Sequence, residues 1–113
     1  VMRSLIGRTA LGFASRGNTV IGVVATNAKL SKEEINKIAQ MAQDGLARTV
    51  RPAHTMLDGD TIFALATGKK SARKANVNIV GAFGAEVFAQ AVLRAVYAAQ
   101  PIAGLPVASK DGR

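Results

Sequence analysis

The chain has 113 residues, a formal net charge of +8 and no cysteine. Its length fits one small domain or part of a larger one, and the missing cysteines exclude a disulfide framework and a thiolate metal site. A single histidine likewise excludes a metal site built from several imidazoles. We therefore expect no metal and no cofactor.

The first segment, residues 1–18, carries arginines and glycines but no acidic side chain. This pattern predicts a flexible lead-in to the rest of the chain. Its apolar stretch is too short for a signal peptide, and the lack of cysteine suits a reducing compartment. We therefore expect a cytoplasmic protein.

Two short apolar runs predict strands. The first extends from Thr19 to Thr26 and is apolar on both faces, which is typical of a strand buried within a sandwich. Gly22 inside it indicates close backbone approach or a bulge. The second strand is predicted from about Thr61 to Ala66, directly after Asp58-Gly59-Asp60.

Two helices complete a β-α-β-α order. Ser31 and Glu34 form a capping box, which starts an amphipathic helix that extends to about Arg48. The second helix, from about Asn76 to Ala99, is apolar nearly all round, and such helices are normally buried on several sides. We expect it to pack against a sheet and against a segment outside this chain or another subunit. Because polar residues interrupt its apolar stretch, we expect no membrane-spanning segment.

The junction of Asn18 and Thr19 is the candidate chemical site. Cleavage there would give Thr19 a free α-amine, and a hydroxyl beside its own α-amine is a nucleophile-and-base pair. The reference pKa of an α-amine, about 7.7–8.0, suits a base near neutral pH. Strand alternation would direct Asp58 and Asp60 to the same side. An ordinary turn at Gly17-Asn18 and an Asx-turn at Asp58 are the structural alternatives.

His54 and the basic cluster have simpler interpretations. No Ser-His-Asp arrangement accompanies His54, so a structural hydrogen bond near the Pro52 turn is expected rather than catalysis. The basic residues are scattered apart from the cluster Lys69–Lys74, and no nucleic-acid motif accompanies it. We therefore expect neither nucleic acid nor membrane as a partner.

Three segments resemble the P1-type (S58) peptidase family. This family includes L-aminopeptidase/D-esterases, β-peptidyl aminopeptidases and endo-type 6-aminohexanoate-oligomer (nylon-oligomer) hydrolases. Residues 17–28 resemble its cleavage site and first strand, residues 30–46 the following helix, and residues 51–68 the second strand with its acidic pair. The resemblance extends from about Arg16 to Ala99 in the family's order.

The resemblance implies an α/β fold that forms part of a four-layer α/β/β/α sandwich. Residues 1–18 would be the end of an α-segment, and residues 19–113 would be the β-segment that carries the nucleophile. The rest of the α-segment would lie upstream in the same precursor. The αβ units would form a homo-oligomer, which is a tetramer in family members. We expect the chain not to fold stably without its α-segment.

The resemblance also implies the chemistry. Thr19, Asp58 and Asp60 would be the catalytic residues, and autocleavage would occur between Asn18 and Thr19. The enzyme would hydrolyse peptides or peptide-like amides through an acyl-enzyme. Many relatives use a serine with a Ser/Glu pair, so Thr19 with two aspartates is nearer the nylon-oligomer hydrolases. The side-chain donor of the oxyanion hole, an asparagine in relatives, would come from the α-segment.

Two other hypotheses remain open. An ornithine-acetyltransferase-like enzyme would use a similar threonine but would pass the acyl group to an amine. A small basic nucleic-acid-binding module belongs to another class of protein, and salt-dependent affinity would identify it.

Overall fold

Four regular elements make up the described part of the molecule. The computed structural model describes residues 18–68, 74–105 and 107–108. Strand β1 spans Ile21–Thr26, helix α1 Lys32–Thr49, strand β2 Thr61–Ala66 and helix α2 Val77–Ala98. The predicted order is confirmed, and each element begins and ends within about two residues of its predicted bounds.

Two predictions fall outside the described residues. The lead-in lies there except for its last residue, Asn18, and the basic cluster lies there except for Lys74.

The two strands pair in parallel, with Ile21 opposite Thr61 and Thr26 opposite Ala66. Parallel strands need a crossover that returns the chain to the same end of the sheet, and α1 provides it. The register continues before β1, because Asn18 bridges Asp58 with the same offset. The residues between these pairs therefore face each other across the two chain segments.

Helix α1 contributes the centre of the core. Ser31 caps it: the Ser31 hydroxyl accepts from the Glu34 amide at 3.2 Å, and the Glu34 carboxylate accepts from the Ser31 amide at 2.8 Å. The predicted capping box is thus confirmed. Its inward stripe of Ile38, Ala42 and Leu46 is fully buried and packs toward β2 and α2, since apolar residues at helical spacing share one face.

Glycines allow helix α2 to approach its neighbours closely. A Cβ atom at Gly22 would collide with the Phe88 ring, and one at Gly81 would collide with the Met41 side chain. The predicted close approach at Gly22 is therefore confirmed. Gly84 has more room, because a Cβ there would meet its nearest side chains at 3.5 Å.

The opposite face of the sheet is apolar and uncovered within the described residues. We call it the open sheet face. The sequence predicted that β1 would be buried on both sides, but here the helices cover only one. The described residues thus form one sheet and one helix layer of an α/β fold, and the four-layer sandwich remains a prediction. The open sheet face consists of Ile21, which is 71% exposed, and Val23, Phe63 and Leu65, which are each 56% exposed.

Helix α2 also presents apolar side chains to solvent. Phe83 is 66% exposed, and Val87, Ala91 and Val96 are exposed too. By length and composition α2 could cross a membrane, contrary to the sequence-based expectation, although an apolar core helix of a soluble protein passes the same test. Apolar patches of this kind commonly mark contact surfaces.

Glu86 and Gln90 form a polar patch on α2. The Gln90 side-chain amide donates to the Glu86 carboxylate at 3.1 Å, and Arg48 of α1 lies 3.8 Å from the same carboxylate. These exposed contacts contribute little to stability, so the apolar residues of α2 dominate its packing.

Candidate active site

The register of the sheet sets Asp58-Gly59-Asp60 beside Asn18-Thr19-Val20. Asn18 bridges Asp58, and Ile21 pairs with Thr61. Thr19 therefore lies opposite Gly59, and Val20 lies opposite Asp60. We call residues 18–20 and 58–60 the strand mouth. The candidate residues from the sequence are thus brought together by backbone pairing, before any side-chain contact is considered.

The carbonyl oxygen of Asn18 accepts a hydrogen bond from the Gly59 amide at 3.0 Å. This carbonyl belongs to the peptide bond that the sequence predicts to be cut. An amide donor at that distance polarises the carbonyl and is placed to stabilise negative charge on its oxygen during attack. Sequence reasoning missed this donor, because a backbone amide carries no side-chain signature.

Gly59 also leaves space for the Thr19 hydroxyl. Thr19 is exposed, and a Cβ atom at Gly59 would lie 2.8 Å from Thr19 Oγ1. Real Cβ atoms essentially never approach a neighbour so closely. A side chain at position 59 would therefore displace the hydroxyl, and the glycine between the two aspartates has a steric reason to be there.

Asp60 is held directly behind the junction. Its Oδ1 accepts a hydrogen bond from the Val20 amide at 3.0 Å, and its side chain is only 8% exposed. The Val20 amide is one residue from the atom that would become the α-amine of Thr19. Asp60 is thus fixed beside the backbone that follows Thr19.

Asp58 has different partners. Its Oδ2 accepts from both the amide and the hydroxyl of Thr55 at 2.9 Å, and its own amide donates to the Thr55 carbonyl at 3.1 Å. The sequence predicted that both carboxylates would point to one side, together with an Asx-turn as the structural alternative for Asp58. In this structure Asp58 closes a turn, and Asp60 is the carboxylate bonded to the backbone next to Thr19.

His54 lies against Asp60. Its Nδ1 is 3.4 Å from Asp60 Oδ2, and its Nε2 is 3.4 Å from the carbonyl oxygen of Gln43 in α1. The predicted structural contact is therefore present, but its carboxylate partner was not foreseen. Sequence spacing could not show it, because the contact depends on how the loop before β2 folds back.

The described residues show no group of three His, Asp or Glu side chains that could hold a metal ion. A groove of about 450 Å³ runs along β1 and α2, and its lining is apolar apart from Thr26. It begins at Val20 and includes neither Thr19 nor the two aspartates. Apolar side chains offer no groups for acyl transfer, so the strand mouth is the better candidate site.

Comparisons with known proteins show similarity to peptidases and to an amide hydrolase. The model of peptidase family S58 matches residues 2–108. An uncharacterized aminopeptidase of Mycobacterium leprae is 52% identical over 79% of this chain and 28% of its own length. An uncharacterized aminopeptidase of Mycobacterium tuberculosis H37Rv is 50% identical over 79% of this chain and 29% of its own length.

A 6-aminohexanoate-oligomer endohydrolase of Paenarthrobacter ureafaciens is 36% identical over 70% of this chain and 25% of its own length. The chain therefore spans less than a third of the length of these relatives.

Proposed function

This chain belongs to peptidase family S58, and we propose that it supplies the nucleophile of an amide hydrolase that cleaves its own precursor between Asn18 and Thr19. The observation that carries the proposal is the hydrogen bond from the Gly59 amide to the Asn18 carbonyl. It places a donor on the one carbonyl that Thr19 must attack. The resemblance to an aminopeptidase and to a 6-aminohexanoate-oligomer endohydrolase supports the same class.

In the maturation step, Thr19 Oγ1 attacks the carbonyl carbon of Asn18. A C–O bond forms, the C–N bond to Thr19 breaks, and the hydroxyl proton ends on the released nitrogen. The Gly59 amide stabilises the negative oxygen of the tetrahedral intermediate. Water then hydrolyses the ester, which leaves Asn18 with a carboxylate and Thr19 with a free α-amine.

In turnover, the α-amine of Thr19 takes the proton of its own hydroxyl while Oγ1 attacks a substrate amide. The proton passes to the leaving amine as the C–N bond breaks. Water then hydrolyses the acyl-enzyme and regenerates the hydroxyl. Once Asn18 has been released, the Gly59 amide is free to bond the substrate carbonyl.

The two aspartates have separate tasks in this scheme. Asp60, bonded to the Val20 amide, stabilises positive charge on the Thr19 amine. Asp58 shapes the turn that presents Gly59, since its carboxylate and its backbone amide both bond to Thr55. Peptides and peptide-like amides are the proposed substrates, and the choice among them depends on residues outside this chain.

The upstream segment of the precursor and further copies of the αβ unit are the proposed partners. The open sheet face and the outer side of α2 support this, because they expose large apolar side chains. Apolar surface of this kind is stabilised by removal from water, at roughly 25 cal/mol per Å².

The test uses the full-length precursor and the variant Thr19→Ala. Intact mass spectrometry of the wild-type protein should give two fragments that meet between Asn18 and Thr19. Thr19→Ala should remain a single chain and should not hydrolyse amino-acid nitroanilides or 6-aminohexanoate oligomers. Thr19→Ser and Thr19→Cys should retain some of both activities, since each keeps a nucleophilic atom.

Thr67→Ala is the matched control, because Thr67 is exposed and lies past the other end of β2. It should be cleaved and active like the wild type. Cleavage of Thr19→Ala at the same bond would overturn the proposal.

A further inference from the structure

The imidazole of His54 connects the strand mouth to helix α1. Nδ1 faces Asp60 Oδ2 at 3.4 Å, and Nε2 faces the Gln43 carbonyl at 3.4 Å. Both ring nitrogens therefore face acceptors, and only a ring protonated on both nitrogens donates to both. The ring is 40% exposed at its side chain, whereas the Asp60 side chain is almost buried.

The backbone at His54 is held in an unusual conformation. Its φ is 57°, in the left-handed region that few non-glycine residues adopt, although histidine, asparagine and aspartate are enriched there. Nearby, Asp58 ties the loop together through two hydrogen bonds to Thr55. The loop thus holds the backbone from which the imidazole projects.

Asp60 depends on this ring for one of its oxygens. Oδ1 is bonded to the Val20 amide at 3.0 Å, and Oδ2 lies 3.4 Å from Nδ1 of His54, within ion-pair distance. A carboxylate with both oxygens engaged has a fixed orientation. With Oδ2 released it can rotate about its last torsion, which is broad in aspartate. A nearly buried carboxylate without its partner is also costly.

We propose that His54 is the positioning residue for Asp60: its Nδ1–H fixes the carboxylate that holds the Thr19 amine in place. This inference rests on the proposed function, because it assigns Asp60 to the amine of the nucleophile. It gives His54 no contact with the substrate and no proton to transfer. Its effect is therefore on the rate of acyl transfer and not on substrate binding.

Three substitutions separate the two contacts of the ring. Asparagine can place an amide nitrogen near the position of Nδ1, so His54→Asn keeps a donor for Asp60 and also tolerates a positive φ. Glutamine can place its amide nitrogen near the position of Nε2, so His54→Gln keeps the contact to Gln43 and loses the one to Asp60. His54→Gly tolerates the backbone conformation and removes both contacts.

The experiment measures kcat, KM, precursor cleavage and thermal midpoint for the three variants of the full-length protein. His54→Gln and His54→Gly should lose at least about tenfold in kcat, because misplaced catalytic groups cost rate even when binding survives. Their KM should stay within about twofold of the wild type, as expected for an interaction that matters in the transition state. His54→Asn should keep most of kcat.

A purely structural tie to α1 predicts the opposite order, with His54→Gln active and His54→Asn impaired. That order, or wild-type kcat in His54→Gly, would overturn the inference. Failure of the proposed function gives a different result: the wild-type precursor stays uncut, or Thr19→Ala keeps its activity. If His54→Gly does not fold, the ratio of kcat in His54→Asn to kcat in His54→Gln still distinguishes the two roles.

Discussion

At the strand mouth, two hydrogen bonds join residues 18–20 to residues 58–60, and both depend on the register of β1 against β2. The Gly59 amide bonds the Asn18 carbonyl, and Asp60 bonds the Val20 amide. On the open sheet face of the same two strands, Ile21 and Phe63 have no cover within the described residues. The strand mouth is held by hydrogen bonds between described residues, whereas the open sheet face has no packing partner among them. Substitutions at the strand mouth should therefore change chemistry, and substitutions on the apolar surfaces should change folding and assembly.

The largest effect is expected on the outer side of α2. Phe83 is 66% exposed here, and an exposed position normally tolerates truncation within about 0.5 kcal/mol. If the full-length protein covers it, Phe83→Ala should cost about 3 kcal/mol in the free energy of unfolding. Denaturant titration of the full-length protein measures this.

Met56→Ala is the control for Phe83→Ala. Met56 is fully exposed at 102% and lies in the loop before β2, so its truncation should be nearly neutral. Equal and small losses in both variants would show that α2 is not covered there.

Gly59→Ala tests the strand mouth by steric means. The added Cβ would lie 2.8 Å from Thr19 Oγ1, so the hydroxyl must move. A displacement near 1 Å costs about a hundredfold in rate, and we expect a loss of that order in precursor cleavage, followed on a denaturing gel. Gly84→Ala adds the same methyl group at a 3.5 Å contact and should cleave normally.

The acidic pair should give a smaller effect. Asp60→Asn and Asp58→Asn should each lower kcat at least about tenfold, because the orientation of nucleophile and base is lost. Asp60→Asn should leave the thermal midpoint nearly unchanged, whereas Asp58→Asn should also loosen the turn at Thr55. Steady-state kinetics with circular dichroism melts measure both. Wild-type rates in the two variants would show that the two aspartates only stabilise the turn before β2.

The smallest effect is expected at the start of α1, far from the strand mouth. Ser31→Ala removes the capping hydroxyl and should cost about 1 kcal/mol. The backbone amide of Glu33 and then the Ser31 hydroxyl hold the pKa of Glu33 below its ordinary value. Because this pKa is lower in the folded protein, ionised Glu33 stabilises the fold at pH values above the ordinary pKa of glutamate. That stabilisation is lost as the pH falls through the pKa of Glu33 in the folded protein. The gap between wild type and Ser31→Ala should therefore be full at neutral pH and should narrow in acid below about pH 4. A gap that stays constant as the pH is taken well below the ordinary pKa of glutamate would show that Glu33 plays no part in the cap.

Local patterns determined most of the secondary structure. Such patterns act within a few residues, so they can be recognised without a structure. They include the capping box at Ser31, the helical spacing of Ile38, Ala42 and Leu46, and the short β-branched runs. Gly22 was also interpretable, since a glycine inside a strand often marks close backbone approach. The bounds shifted by a residue or two because helix and strand ends depend on hydrogen bonds at their termini.

The sequence by itself also determined which residues belong to the candidate site, since Thr19, Asp58 and Asp60 were identified from junction chemistry, turn chemistry and family resemblance. Only the tertiary structure decided how they are used. The parallel register set Gly59 against Asn18 and divided the two aspartates between Thr55 and Val20. The fold of the loop before β2 set His54 against Asp60. The contacts of Asn18 and Val20 join residues about 40 apart in the chain and depend on backbone pairing, whereas those of Thr55 and His54 depend on loop conformation. One-dimensional spacing encodes neither.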